Sequence, residues 1–254
     1  MEIYSEFQRI DPYGGVVAPD RGLGSREILS PAVARNAFAS FHVAVSVPPG
    51  ENYLLYVATN PVNMCRVSLY REHFISTRYG WIPDRLAEVH RLPEFGAMPD
   101  PDENIEGQNT RLYLLDLWVP ANTQVARFRI EVQLKVGDWT VRPMEVRVIP
   151  AVVPVVARKA GTATLPGPEQ GADAAALGAV MAALADGPQA SGAEPATVRE
   201  IVRRNALQDM ALVASTGALT TRVLDLLRVN TSFWPRPLGA EWYLWIRDWL
   251  YGQR

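Results

Sequence analysis

The sequence predicts a mainly β fold, an antiparallel, immunoglobulin-like β-sandwich with a small C-terminal helical segment, and three observations predict it. Phe128, Ile130, Val132, Leu134 and Val136 alternate with Arg127, Arg129, Glu131, Gln133 and Lys135, the period of a strand with one buried face. Gly137-Asp138 follows and leads into a Val-rich return run from Trp139 to Ile149, as in a two-residue hairpin. Similar short apolar runs recur upstream at regular spacing, the pattern of a sandwich or barrel.

The elements follow in order. Residues 1 to about 30 hold Pro12, Gly14, Gly15, Pro19, Gly22 and Gly24 between short β-prone pieces, a loop-rich lead-in. Phe41, Val43, Val45 and Val47 alternate with His42, Ala44 and Ser46 before Pro48-Pro49-Gly50, a strand and its turn that put His42 on the outer face. Tyr53 to Ala58 forms the next strand. Asn60-Pro61 breaks it, and Cys65, Val67 and Leu69 begin a third that ends near His73.

Between His73 and Gln108 the periodicity is lost and Pro83, Pro93, Pro99 and Pro101 appear. This reads as a long ordered excursion pinned by Trp81, Ile82, Leu86, Leu92 and Phe95, and such excursions often carry function. Leu112 to Val119 resumes the sheet. On the return strand Met144, Val146 and Val148 have one parity, Trp139 and Val141 the other, so a bulge is expected near Arg142-Pro143. Trp118 and Trp139 are expected to pack in or between the sheets.

After Pro150 the composition turns to Ala, Gly, Pro and Thr. The domain reading is a β-sandwich over 1–155, an Ala/Gly/Pro-rich linker with a short Ala-rich helix near Asp173 to Ala185 over 156–194, and a helical segment over 195–254. Thr197-Val198-Arg199-Glu200 fits a capping box. Val198, Ile201, Val202 and Met210 then fall on or near one face, Leu219 to Val229 forms a second helix, and a last one begins at Pro237.

With 254 residues and 48% hydrophobic content the chain is a soluble globular protein by composition. Its 25 basic and 27 acidic residues nearly balance, so no global field recruits nucleic acid. No run is long and apolar enough for a transmembrane helix. The first residues have neither a basic start nor an apolar core of a signal peptide. The chain as written therefore reads as cytoplasmic, or begins at a processed end. Cys65 is the single cysteine, which excludes an intramolecular disulfide and a cysteine-rich zinc site and reads as a buried inert thiol.

No motif for catalysis stands out. His42, His73 and His90 lack a G-x-S-x-G elbow or a partnered cysteine, and no catalytic residue, metal ligand or cofactor is assigned. The acidic run Asp100 to Glu106 offers oxygens at alternate positions, as Ca²⁺ prefers. It lacks the glycine of an EF-hand loop and reads as a solvated acidic loop. Binding residues are assigned from aromatic chemistry. Trp81 and Tyr79 could stack on a sugar, and Trp242, Trp245 and Trp249 fall at helical spacing in the tail, where they mark a partner-docking helix or one that folds back on its own sheet.

Four segments together carry a family resemblance: Ala34 to Val43, Val67 to Glu72, Gly80 to Leu86, and Leu115 to Pro120 followed by the alternating strand. In this order they resemble the N-terminal β-sandwich module of bacterial glycoside hydrolases acting on N-acetylgalactosaminides, over roughly residues 28–150. The resemblance implies a sandwich with an accessory role. It transfers no catalytic residue, since the remaining chain is too short for the (β/α)₈ barrel of about 250 residues. The function expected is thus a non-enzymatic module acting in assembly or docking, with a protein partner or a second copy bound through the Trp-rich C-terminal helices. The alternative is a carbohydrate-binding accessory domain.

Overall fold

The computed structural model describes residues 1–6, 8–18, 30–77, 80–153 and, further on, 195–198, 200, 201, 204, 205 and 208. Among the described residues twelve strands run β1 Glu2–Ser5, β2 Arg9–Ile10, β3 Val16–Ala18, β4 Ala32–Arg35, β5 Ala37–Ser46, β6 Asn52–Asn60, β7 Arg66–Thr77, β8 Gly80–Glu88, β9 Glu94–Ala97, β10 Thr110–Val119, β11 Arg127–Val136 and β12 Asp138–Val152. They form two five-stranded sheets, β1-β5-β10-β7-β8 and β4-β12-β11-β6-β9, with β2-β3 as a small separate pair. Pairing is antiparallel except between β12 and β4, which run parallel. The protein is mainly β, as the sequence predicts, but its second sheet is mixed.

The main hydrophobic cluster draws on both sheets. Val43, Val45, Leu115 and Leu117 come from the first, and Leu55, Val57, Ile130, Val132, Met144 and Val146 from the second. Phe128, Ile130, Val132 and Leu134 are buried as expected, Val136 half-buried, and Arg129 and Lys135 exposed. Cys65 joins this cluster, and burial pushes its thiol up to about 11.

The β11–β12 turn differs from expectation. Lys135 faces Trp139 and Val136 faces Asp138, so the loop has an odd number of residues with Gly137 alone at its apex. Its φ of 69° is the positive value that glycine takes without a steric penalty. This register continues unbroken to Arg147–Arg127, so the bulge expected near Arg142-Pro143 is absent. The parity conflict has a simpler resolution: Trp139 and Val141 are on the outer face, 52% and 42% exposed. Trp139 therefore does not pack between the sheets. Trp118 does not either, since it shares the outward parity of Phe38 and Arg66 and is half-buried beside them.

The excursion after His73 is largely sheet. His73 does not end its strand, because β7 runs on to Thr77, pairs with β8 in a hairpin, and is followed by β9 on the second sheet. A register shift between His73 and Phe74 and the proline at position 83 break the alternation. Trp81 therefore lies on a strand. Among the described residues no helix is long and apolar enough to cross a membrane.

The expected linker, the Ala-rich helix and the helices after Gln208 lie outside the described residues. The start of the C-terminal segment is described. The Thr197 hydroxyl accepts from the Glu200 amide at 3.1 Å while the Glu200 carboxylate accepts from the Thr197 amide at 3.1 Å, the reciprocal capping box the sequence predicts. Val198, Ile201, Arg204, Asn205 and Gln208 are helical and buried.

Candidate functional site: a buried polar layer on the first sheet

The outward face of the first sheet is covered. In register across it, Phe38, Ser40, His42 and Ala44 of β5 stand beside Trp118, Asp116, Leu114 and Leu112 of β10, which stand beside Arg66, Ser68, Tyr70 and Glu72 of β7. Leu112 and Leu114 are fully buried, as are Tyr113, Leu115 and Leu117 on the opposite face. A strand apolar on both faces is one covered on both sides. The covering pieces are Glu6 with Gln8, Arg9 and Ile10, and the helical residues Val198, Ile201, Arg204, Asn205 and Gln208.

Polar side chains fasten both pieces. Asp116 takes a two-pronged contact from Arg204, with Nη2 to Oδ1 at 2.7 Å and Nη1 to Oδ2 at 3.0 Å, and accepts the Ser40 hydroxyl at 2.6 Å. Asn205 Nδ2 donates to the Ser40 oxygen at 2.9 Å and to the Glu6 carboxylate. The Gln208 side-chain Oε1 accepts the Phe38 backbone amide at 2.8 Å, and the Arg204 guanidinium lies 3.4 Å from the centroid of the Phe38 ring. The chain before the helix adds to the sheet edge, where the Leu86 amide donates to the Ala196 carbonyl at 2.8 Å and Arg85 bridges Thr197.

The N-terminal piece is held by His42. Its Nδ1 lies 2.7 Å from Glu72 Oε1, and its Nε2 lies 3.1 Å from Arg9 Nη1 and 3.2 Å from the Glu6 carbonyl. Arg9 Nη1 also donates to the carbonyls of Glu6 and Gln8 at 2.7 and 2.9 Å. His42 and Glu72 are fully buried at their side chains. Tyr70 beside them has its phenol pushed up to about 12, first by burial and then by the Asp116 charge.

These residue types serve acid–base catalysis elsewhere, but here each is consumed by another part of the chain. Ser40 donates to Asp116 and not to His42, and His42 has no exposed atom for a substrate to meet. A general base must come within hydrogen-bond reach of the proton it takes. The layer's hydrogen bonds and the Asp116–Arg204 pair hold the covering segments against the sheet, while among the described residues Glu72 Oε2 and Trp118 Nε1 are buried without a hydrogen-bond partner.

A second polar group closes one end of the main core. Tyr53 and Tyr113 share a hydroxyl contact of 2.7 Å, Arg71 Nε donates to Glu94 at 2.5 Å, Arg111 pairs with Asp100, and His73 pairs with Glu103. Burial raises both tyrosine pKa values. Gly96 makes room for this group, since a Cβ there would stand 2.2 Å from the Tyr53 ring. Asp100 is thus held by Arg111 and Glu103 by His73, whereas Asp102, Asn104 and Glu106 are exposed, so the reading of 100–106 as a solvated acidic loop holds for those three and not for Asp100 and Glu103. No group of three or more metal-type ligands occurs among the described residues.

Of the aromatic residues assigned to binding, Trp81 is half-buried against the cluster of Tyr4, Ile10, Phe74 and Ile105. Tyr79, Trp242, Trp245 and Trp249 lie outside the described residues. Arg66 stacks on Trp118 at 4.9 Å. Among the described residues the large exposed aromatics are Tyr13, 47% exposed between β2 and β3, and three on the outer face of the second sheet. Phe95 is 70%, Trp139 52% and Tyr56 38% exposed. Phe95, Leu54, Lys135 and Trp139 form one row across four strands, and Tyr56, Gln133 and Val141 form the next.

Sequence reasoning placed His42 outward but missed Asp116, Arg204, Asn205 and Gln208. The available signal was the single acid in Leu112-Tyr113-Leu114-Leu115-Asp116-Leu117, since a lone charge in a doubly apolar strand requires a buried partner.

No family model matches the chain and no curated protein matches it. Among solved structures, a family 123 glycoside hydrolase from Clostridium perfringens matches 61% of this chain at 9% identity and a TM-score of 0.38, and the match covers 28% of that enzyme. A GH5 xyloglucanase from Bacteroides ovatus matches 51% at 9% identity and a TM-score of 0.25, covering 18% of that chain. The AgI/II polypeptide C-terminal domain of Streptococcus agalactiae matches 56% at 8% identity and a TM-score of 0.25, covering 49%. The chain thus spans less than half the length of each of these proteins, and likeness at this level assigns neither a family nor an activity.

Proposed function

We propose that the chain is a non-enzymatic module, an immunoglobulin-like β-sandwich, that acts in protein assembly or partner docking through its C-terminal segment. The observation carrying this reading is the Asp116–Arg204 contact, with both side chains about 95% buried or more. Phe38, Ser40 and Asp116 of the first sheet hold Arg204, Asn205 and Gln208, and the sequence beyond them carries Trp242, Trp245 and Trp249. The sandwich reading is supported by the main hydrophobic cluster, to which both sheets contribute. A pull-down from lysate of the source cell, comparing the full chain with a Trp242→Ala, Trp245→Ala, Trp249→Ala triple variant, tests the docking role. A partner retained by the wild type and lost by the variant is expected. Equal capture by both overturns the role, and turnover above background in a hydrolase panel overturns the non-enzymatic reading.

A second reading is a carbohydrate-binding accessory domain, the role that the resemblance over residues 28–150 implies. Phe95 and Trp139 in one exposed row, with Tyr56 and Gln133 in the next, favour it, because aromatic faces beside hydrogen-bonding groups suit sugar rings. Glycan arrays of wild type, Trp81→Ala and Trp139→Ala separate the two faces. Binding that only Trp139→Ala removes is expected on this reading, and no binding by wild type removes it.

A further inference from the structure

Among the described residues, strand β12 has a long edge that no other strand pairs with. Its partner on one side, β11, pairs from Val136 to Arg127, while on the other side β4 reaches only from Arg147 onward. Residues Asp138 to Pro143 are all exposed. The direction of the main-chain groups along this edge follows from two hydrogen bonds. The Arg147 amide donates to Pro31 on the β4 side at 2.9 Å, and the Val148 amide donates to Ala126 on the β11 side at 2.9 Å. Main-chain groups alternate along a strand, so the odd-numbered residues Trp139, Val141 and Glu145 point their N–H and C=O at the open edge. Pro143 shares that parity, and its missing N–H limits strand addition to the stretch before it.

That stretch is complementary to itself. An antiparallel copy placed about a two-fold axis at Thr140 sets Thr140 opposite Thr140, Trp139 opposite Val141, and Asp138 opposite Arg142. Like threonines, an aromatic with a β-branched residue, and opposite charges are the cross-strand pairs that stabilise antiparallel strands. The Trp139 and Val141 positions are of the hydrogen-bonding kind, so each such pair exchanges two main-chain bonds. Both side chains are on the exposed face, with Lys135 5.8 Å from the Trp139 ring. Arg142 is already oriented, since its Nε donates to the Met1 carbonyl at 3.3 Å, which leaves its terminal nitrogens for a carboxylate.

We infer that the free edge of β12 is a homodimer contact, in which residues Asp138 to Arg142 of two copies pair antiparallel about Thr140 and join the two second sheets edge to edge. The contact is isologous. It is short, burying less than the roughly 1,000 Å² of a stable interface, so the dimer forms reversibly with concentration. It does not draw on the C-terminal segment, and its failure leaves the docking reading untouched.

Sedimentation velocity of the full chain over a wide dilution series tests it. The wild type moves from 28.1 kDa toward twice that mass as concentration rises. Asp138→Arg sets like charges opposite each other and holds the chain at the monomer mass, and Asp138→Arg combined with Arg142→Asp restores the dimer by exchanging the pair. Val141→Pro removes an edge-facing N–H that β11 does not use and also yields the monomer, a check independent of the Arg142–Met1 contact. A wild type that stays at 28.1 kDa throughout, or an Asp138→Arg chain that dimerises as the wild type does, overturns the inference. So does a double variant that keeps the wild-type melting transition without regaining the dimer.

Discussion

The two sheets bury the same inner faces and treat their outer faces in opposite ways. On β10 of the first sheet the outward residues are Leu112, Leu114, Asp116 and Trp118, the first three of them almost wholly buried. On β11 of the second the outward residues are Arg127, Arg129, Glu131, Gln133 and Lys135, exposed or half-buried. A central strand covered on both sides reads as continuously apolar, and one covered on a single side alternates. The sequence difference between Leu112–Val119 and Arg127–Val136 therefore records a layer outside the first sheet, and a charge within that layer needs a partner from it.

The largest test of this contrast removes one member of the buried pair. Asp116→Ala leaves the Arg204 guanidinium uncompensated beneath the covering helix, and stability is expected to fall by about 3–5 kcal/mol, read as a lower urea midpoint. Arg204→Ala should cost a similar amount, with the double variant costing less than the sum of the two. A fall within about 0.5 kcal/mol, the range of surface substitutions, would show that the outer layer is not docked in solution.

The next test sets the faces directly against each other. Leu114→Ala on the outward face of β10 empties a fully buried site and is expected to cost about 2–5 kcal/mol. Arg129→Ala, at an outward position of β11, should stay within about 0.5 kcal/mol. Chemical denaturation of both variants decides it, and equal effects would erase the distinction between the two faces.

How much of this was legible follows the same division. The alternation of β11 and the capping box at Thr197 and Glu200 are local and agree with the sequence reading, as does the hairpin at Gly137 except for its turn, which has Gly137 alone at the apex and not the expected pair Gly137-Asp138. Strand β8 was not legible, because Pro83 and the register shift at His73–Phe74 destroy the period that marks a strand. The parallel pairing of β4 with β12 joins segments more than a hundred residues apart and leaves no local trace. The Asp116–Arg204 contact spans 88 positions, and Arg204 looks like any surface arginine on a helix. Only Asp116, stranded among leucines, carried a signal.

A smaller effect sharpens the picture of the bare side. Gly137 holds φ 69° at the exposed hairpin apex, and a Cβ there meets nothing within 4 Å. Gly137→Ala therefore costs backbone strain alone, about 1–2 kcal/mol, measurable as a lower melting temperature with the fold retained. A loss as large as that of Asp116→Ala would mean that the hairpin end is packed and that the second sheet's outer face is not open.

The smallest effect at neutral pH is the one that reports the covered face most selectively. Tyr70 lies outward on β7 beside Asp116, and burial, then the Asp116 charge, pushes its phenol up from 10.0 to about 12. A folded-state pKa above the unfolded one means that the neutral form is favoured in the native protein, so its contribution is fully present below pH 10. Between about pH 10 and 12 the unfolded chain releases this proton while the folded chain keeps it, and stability falls with rising pH across that window. Tyr70→Phe removes the titration. Its urea midpoint relative to wild type should be constant up to about pH 10 and then shift in favour of the variant as pH approaches 12. A difference between the two chains that stays flat through the alkaline range would mean that the Tyr70 hydroxyl ionises as freely folded as unfolded, and that the layer over the first sheet leaves it open to water.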